Sequence, residues 1–201
     1  MIVIGVPTTG AIPVEVVGSI DSVLLTHEGV VPNYVQGSLV YDARRQIMEY
    51  ALSKNADLLF LDSDIIFPLE AFDRLVAHHT DIVSGLYYGR HEGHTGPIAY
   101  KTIRPKTIFR PQELEAITEI RPFMEVAGVG LGFCLIRNNV LETVARKVTR
   151  INPFEPFGNL GEDLSFFVRL RRLGFKCYLD TTVELKHIGK YGFSAKDYKG
   201  A

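Results

Sequence analysis

The stretch that most constrains this chain is Leu58-Leu59-Phe60-Leu61-Asp62-Ser63-Asp64. Four consecutive apolar residues bounded by carboxylates predict a short strand buried on both faces, the kind found in the middle of a parallel sheet. In open α/β sheets ligands gather beyond the carboxyl ends of the strands, and this end carries two acids separated by one small residue. If the backbone stays extended through Ser63, side-chain alternation sends Asp62 and Asp64 to the same side. They would then share one hard cation or its water shell.

The 201 residues are enough for one domain with a sizeable core. With 22 basic against 23 acidic residues, the net charge is −1, so no global field recruits nucleic acid or an anionic membrane. An anionic ligand must be held by local groups. The two cysteines, Cys134 and Cys177, lie in apolar strand-like runs, which predicts reduced core thiols in a cytoplasmic protein; a redox pair is the alternative. The first residues, Ile2–Val6, read as a strand, lacking the basic flank and the length of a signal or transmembrane segment.

The loop Pro7-Thr8-Thr9-Gly10-Ala11-Ile12-Pro13 follows at the expected ligand edge, rich in turn formers and hydroxyls. It suits plain loop chemistry and nucleotide contact equally. A helix is expected from Val14 to Leu25, then a strand from Gly29 to Val35. In the next helix, Leu39–Ser53, the apolar residues Val40, Ala43, Ile47 and Ala51 fall at helical spacing, and Arg44 leans toward that stripe while Arg45 points away. An inward guanidinium needs an anionic partner, either a protein carboxylate or a ligand phosphate. After the strand Asp57–Asp64, Pro68 opens a helix to about Ala77, and Asp81–Tyr88 reads as a further strand. This alternation predicts parallel strands in an α/β layer sandwich.

The second half is less regular. Gly89–Pro97 is a polar, glycine-rich loop containing Arg90, His91 and His94, the histidines read as solvated rather than zinc-binding because no second ligand pair stands at suitable spacing. Ile98–Ile103, Glu115–Ile120 and Phe123–Ala127 are expected as short antiparallel strands. The run Gly128-Val129-Gly130-Leu131-Gly132-Phe133 leads into the strand Phe133–Ile136 rather than a helix, so it is no dinucleotide fingerprint. It marks a backbone that passes close to a ligand or another strand. Asn138 or Asn139 is expected to cap a helix to Lys147.

Glu162 and Asp163 then open a helix whose buried stripe is Phe166, Phe167, Leu170 and Leu173. Asp163 is aligned with that stripe, while Glu162 lies rotated by roughly a hundred degrees. First-turn acids also complement a helix dipole. An inward Asp163 held ionised by the helix terminus would suit taking a proton from a hydroxyl. After a strand Phe175–Leu179, Val183, Leu185 and His187 share one face, making His187 either a core histidine or a nitrogen ligand beside the carboxylates.

The ordered set Asp62-Ser63-Asp64, Gly128–Phe133, Gly161-Glu162-Asp163 and His187-Ile188-Gly189 resembles the GT-A fold nucleotide-sugar glycosyltransferases, particularly the family 2-like members. The resemblance spans about Ile2 to Gly189. It implies a Rossmann-like three-layer sandwich with a mixed, mainly parallel central sheet and a small antiparallel second sheet, residues 1–189 forming one catalytic domain and 190–201 a flexible tail. It further implies a UDP- or GDP-linked sugar donor, an acceptor hydroxyl on an unidentified glycan, lipid or protein, and Mn²⁺ or Mg²⁺ held by Asp62, Asp64 and His187. Pro7, Thr8, Arg44 and Ser63 would join Asp62 and Asp64 around the donor. Arg90, Gly130, Gly132 and Glu162 would line the substrate side, and Asp163 and Glu162 would form the catalytic pair, Asp163 as the base of an inverting transfer and Glu162 helping to bind the acceptor.

Three other readings stand beside this. A haloacid-dehalogenase-type phosphatase also presents Asp-x-Asp at a strand end, although its motif usually opens the domain. A nucleotidyltransferase would need a glycine- and lysine-rich loop after the first strand, which this chain lacks. A non-catalytic nucleotide-sugar-binding domain is the non-enzymatic alternative.

Overall fold

The computed structural model describes residues 1–37, 39–89, 96–107, 112–189 and 192–193. Strands β1 (Ile2–Thr8), β2 (Val30–Gln36) and β3 (Asp57–Leu61) are parallel and are connected by helices α1 (Val14–Thr26) and α2 (Val40–Ser53). The chain continues through β4 (Ile65–Ile66), α3 (Leu69–Ala77) and β5 (Ile82–Gly85), then β6 (Ala99–Arg104), β7 (Glu113–Ala116), β8 (Phe123–Val126), β9 (Gly128–Val129) and β10 (Phe133–Ile136). It ends in α4 (Asn138–Lys147), α5 (Glu162–Arg172), β11 (Cys177–Asp180), β12 (Lys186–Ile188) and β13 (Gly192–Phe193).

The central sheet has seven strands in the order β2-β1-β3-β10-β5-β11-β8, and only β10 and β8 run against the others. Two three-stranded antiparallel sheets, β13-β12-β4 and β7-β6-β9, lie beside it. The expected mixed, mainly parallel sandwich is thus observed. Strand β3 sits near its middle between β1 and β10, and Leu58, Leu59, Phe60 and Leu61 are at most 1% exposed. Leu58 and Phe60 join the core under α2, α4 and α5, while Leu59 and Leu61 join the core under α1 and α3. Burial on both faces is why this strand reads as an unbroken apolar run rather than an alternating one.

Two details differ from the sequence expectation, at the end of β3 and at the start of α4. The strand expected to reach Asp64 ends at Leu61, because the Ile65 N–H donates to the Asp62 carbonyl at 3.2 Å and closes a turn. The segment Phe123–Val126, expected as a short antiparallel strand, is one, paired with β11 at the edge of the central sheet. Neither Asn138 nor Asn139 caps α4. The Asp57 carboxylate, from the start of β3, accepts the Asn138 N–H at 2.8 Å and pairs with Arg137 at 3.0 Å, so the cap comes from 81 positions upstream.

Both cysteines are free and buried, and burial pushes each thiol well above its usual pKa, which suits core packing rather than redox chemistry. Among the described residues, no helix is long and apolar enough to cross a membrane. Gly192–Phe193 pairs with β12; the remainder of 190–201, like Arg90, His91 and His94, lies outside the described residues.

Helix α2 lies close against β1 at Gly5, where a Cβ would stand 2.1 Å from Ile47 Cγ2. Gly5→Ala is expected to lower unfolding free energy by about 1–3 kcal/mol through overpacking. Combined with Ile47→Ala it should cost less than the sum of the single changes, because the truncation makes room for the new methyl. Urea denaturation of the three variants measures this.

Candidate active site

The site is built at the carboxyl edge of β3. Asp62 leaves the strand with its N–H donating to the Gly132 carbonyl at 2.9 Å, and the turn after it sends Asp64 toward β12. Strand β4 pairs Ile65 with His187, and the Ile188 N–H donates to the Asp64 carbonyl at 2.7 Å. Backbone pairing therefore fixes His187 beside Asp64 across more than 120 residues of sequence. The side chains end with His187 Nε2 at 3.5 Å from Asp64 Oδ1. His187 Nδ1 donates to the Tyr88 carbonyl at 2.8 Å, so in the neutral ring the lone pair sits on Nε2, the nitrogen facing the carboxylate.

The two aspartates are consequently held by different partners, not by the shared strand face first expected. Asp62 belongs to Arg44. This guanidinium, 3% exposed on the inner face of α2, places Nη2 2.9 Å from Asp62 Oδ1, Nε 3.5 Å from Glu162 Oε1 and Nη1 3.4 Å from the Leu131 carbonyl. It also lies over the Phe60 ring, 5.3 Å from the centroid. The inward lean read from helical spacing is observed, and the anionic partners are protein carboxylates. Glu162 meets them there: at the first position of α5 it stands three and four residues before the buried Ser165 and Phe166, and its side chain reaches the buried cation.

Asp163 is half-buried beside this cluster and accepts the Leu164 N–H at 2.6 Å. That bond and Arg44 favour the carboxylate, but burial and the neighbouring Glu162 outweigh them, and its pKa is raised to about 6. The expectation that the helix terminus would simply hold it ionised is therefore corrected. Desolvation wins, leaving an unusually basic carboxylate that is still mostly ionised at neutral pH.

One site residue was not singled out from sequence. Tyr87 follows β5, is 5% exposed, and its hydroxyl accepts the Gly132 N–H at 3.1 Å. Its ring stands edge-on to His187 with centroids 5.6 Å apart. Burial, then Asp62 and Asp163, raise its pKa well above the ordinary value, so it stays a phenol. The glycines Gly130 and Gly132 make room for it, since a Cβ at Gly130 would lie 1.9 Å from Tyr87 Oη and one at Gly132 2.8 Å from Cζ. At Gly132 a Cβ would also stand 2.9 Å from Asp62 Oδ2. Glycine at every second position from Gly128 to Gly132 was the available signal: a strand face stripped of side chains leaves space for a bulky neighbour.

The first loop supplies backbone order. Pro7 is buried within β1, whereas Thr8 is half-buried at the strand end, its Oγ1 accepting the Gly10 N–H at 3.1 Å and its carbonyl accepting the Gly37 N–H at 3.2 Å. Ser63 is half-buried in the turn between the aspartates.

A divalent cation at this edge would have to be held by these groups. Among the described residues, no group of three His, Cys, Asp or Glu side chains is assembled to hold a metal. The Asp64–His187 pair nevertheless fits a hard cation that arrives with a phosphate ligand, since such ions take one or two protein carboxylates and complete their shell with phosphate and water. The tautomer of His187 suits ligation, and Asp62 has one oxygen on Arg44 with Oδ2 on the side of Gly132.

Comparison with known families finds no matching family model, and no curated protein matches by sequence. Among solved structures, the chain is similar to A197 from STIV, with a TM-score of 0.67 and 22% identity, covering 98% of this chain and 91% of that one. The two share a fold. Weaker likenesses are to GalNAc-T7 with UDP, GalNAc and Mn²⁺ (TM-score 0.49, 13% identity, 98% of this chain and 39% of that one) and to a nucleoside-diphosphate-sugar pyrophosphorylase from Vibrio cholerae RC9 (TM-score 0.44, 10% identity, 90% and 91%).

Arg44 is the cation that makes this group of acids tolerable. Arg44→Met should lower stability by about 2–4 kcal/mol at neutral pH, somewhat less than for a fully buried pair because Asp62 and Glu162 keep some solvent contact. The deficit should shrink as the pH falls toward about 4, where unpaired carboxylates take up protons. Denaturant unfolding across that range is the measurement.

Proposed function

We propose that this protein is a metal-dependent glycosyltransferase that moves a sugar from a nucleoside-diphosphate donor to an acceptor hydroxyl with inversion. The observation that carries the reading is the convergence at one sheet edge of an Asp64–His187 pair suited to a hard cation and a separate, desolvated Asp163 with its pKa near 6. These are two chemically distinct roles carried by separate segments of the chain. The resemblance of the Asp-Ser-Asp, glycine-rich, Glu-Asp and histidine segments to the family 2-like GT-A enzymes supports the same reading.

Asp64 and His187 would hold Mn²⁺ or Mg²⁺, with Asp62 Oδ2 at the margin. The ion's contribution, when bound, is to neutralise charge on the departing nucleoside diphosphate. The rest falls to the chain. Thr8 and the backbone around Gly10 and Gly37, held together at the end of β1, would border the donor. Asp163 accepts the acceptor hydroxyl's proton as the sugar is transferred, and its raised pKa brings it nearer to the ideal for a base working at neutral pH. Glu162, spent on Arg44, orients that cation and bounds the acceptor side. Tyr87 keeps its proton and closes the floor beneath Gly130 and Gly132. A buried guanidinium on Asp62 Oδ1 would blunt that oxygen as a nucleophile, which disfavours the phosphatase alternative.

UDP or GDP should raise the melting temperature only when Mn²⁺ is also present, because binding to the native state adds to its apparent stability. A shift from beryllofluoride with none from nucleoside diphosphates would reject the proposal.

Asp163→Asn should reduce turnover by about 10²–10⁴-fold while nucleotide–Mn²⁺ binding stays near wild type. In the wild type, kcat/KM should fall tenfold per pH unit below about 6, where Asp163 gains its proton, and the variant's residual rate should lack this limb. Stability gives an independent sign. The folded pKa lies above the unfolded value of about 3.9, so the native state holds this proton more tightly, and its stabilisation is lost as the pH rises through about 6. Asp163→Asn should therefore be more stable than wild type above pH 7, by about 1–2 kcal/mol.

A further inference from the structure

On the flank of the molecule, the end of β6 and the last turns of α5 enclose a groove of about 320 Å³ lined by Ile103, Arg104, Pro105, Val168, Arg171 and Arg172. Ile103 and Val168 are buried and form an apolar floor, while the three arginines stand exposed around it. No acid lines the groove. Arg104 shares its charge with Glu113, Nη1 to Oε2 at 2.6 Å, and the Arg172 guanidinium lies over Phe157, 5.4 Å from the ring centroid. Among the described residues, neither Arg171 nor Arg172 pairs with a carboxylate. Basic residues in the last turn of α5 complement its dipole, but that does not account for Arg104, which reaches the same groove from a different sheet. In a chain whose net charge is only −1, three guanidiniums against one carboxylate make a local excess of positive charge.

We propose that this groove binds a phosphate or diphosphate group carried on a larger molecule whose uncharged part lies on Ile103, Pro105 and Val168. Guanidinium forks match phosphate oxygens in pairs, and three of them around one opening suit a dianion better than a single carboxylate. The groove is not the carboxylate site. Arg172 lies nine residues beyond Asp163 on the same helix, about 13 Å along its axis.

The test uses the full chain at low ionic strength with EDTA, so that no divalent metal or nucleotide is involved and its outcome is independent of the glycosyltransferase reading. Inorganic pyrophosphate is titrated calorimetrically, and in a parallel arm phosphatidylcholine vesicles with and without phosphatidic acid are sedimented with the protein. Pyrophosphate binding, or recruitment specific to phosphatidic acid, should weaken at least tenfold in the Arg171→Ala/Arg172→Ala variant. It should be unchanged in Arg146→Ala/Arg150→Ala, which loses the same charge from another face. Pyrophosphate binding identifies a soluble phosphate ligand, and recruitment to vesicles alone identifies a lipid headgroup; either supports the site. Absence of both in the wild type, an undiminished affinity in the groove variant, or equal weakening in the control variant overturns it.

Discussion

The site depends on one buried cation. Arg44 gathers Asp62 from the end of β3, Glu162 from the start of α5 and the Leu131 carbonyl from the segment before β10, so a single guanidinium ties α2 to three parts of the chain up to 118 residues away from it. Three carboxylates lie in this one region, Asp163 among them. Without a counter-charge they would repel one another and would be driven to protonate. With it, the charge is divided: Asp62 and Glu162 are satisfied by Arg44, and Asp163 bears the desolvation and the repulsion of Glu162. The cation therefore sets a contrast between the carboxylates, leaving Asp163 less well neutralised than its neighbours.

A parallel division holds at the other aspartate. The backbone at Asp64 is placed by pairing of β4 against β12 and by the bond from the Ile188 N–H. A short turn between Asp62 and Asp64 lets two residues of one tripeptide face different partners, one a buried arginine and one the Nε2 edge of His187. Separation of this kind leaves the Asp62–Arg44 ion pair and the Asp64–His187 contact on different carboxylates, so the two do not compete for the same oxygens.

Much of this was legible in sequence where a local rule applied. The apolar run at Leu58–Leu61 gave a doubly buried strand, helical spacing turned Arg44 inward, and alternation placed His187 on a face with Val183 and Leu185. What was illegible depended on long-range partners. Extension through Ser63 was a reasonable local expectation, but the turn there is held by pairing of β4 with a strand more than a hundred residues later. The partner of Arg44 could be a phosphate or a carboxylate until the fold put Glu162 beside it. The pKa of Asp163 could be pushed either way by a helix terminus and by burial, and only the packed neighbours decide the balance. Tyr87 escaped because its role is defined by glycines 43 and 45 positions away.

Strand β10 explains how the sheet delivers these distant parts to one place. In a purely parallel sheet every strand begins at the edge opposite the ligands, so only loops that follow strands reach the site. Strand β10 runs the other way between β3 and β5, with Phe133 opposite Leu61, and so it begins at the ligand edge. The residues that precede it, Leu131 and Gly132, are thereby laid against Arg44, Asp62 and Tyr87, where their carbonyls and N–H complete the hydrogen bonding. A side chain at Gly132 would meet both Tyr87 and Asp62, so the reversed strand can take this position only if its leading residue is glycine. The glycine-rich segment is thus the steric condition for threading an antiparallel strand into the middle of the sheet beside a crowded acidic site, rather than a phosphate loop.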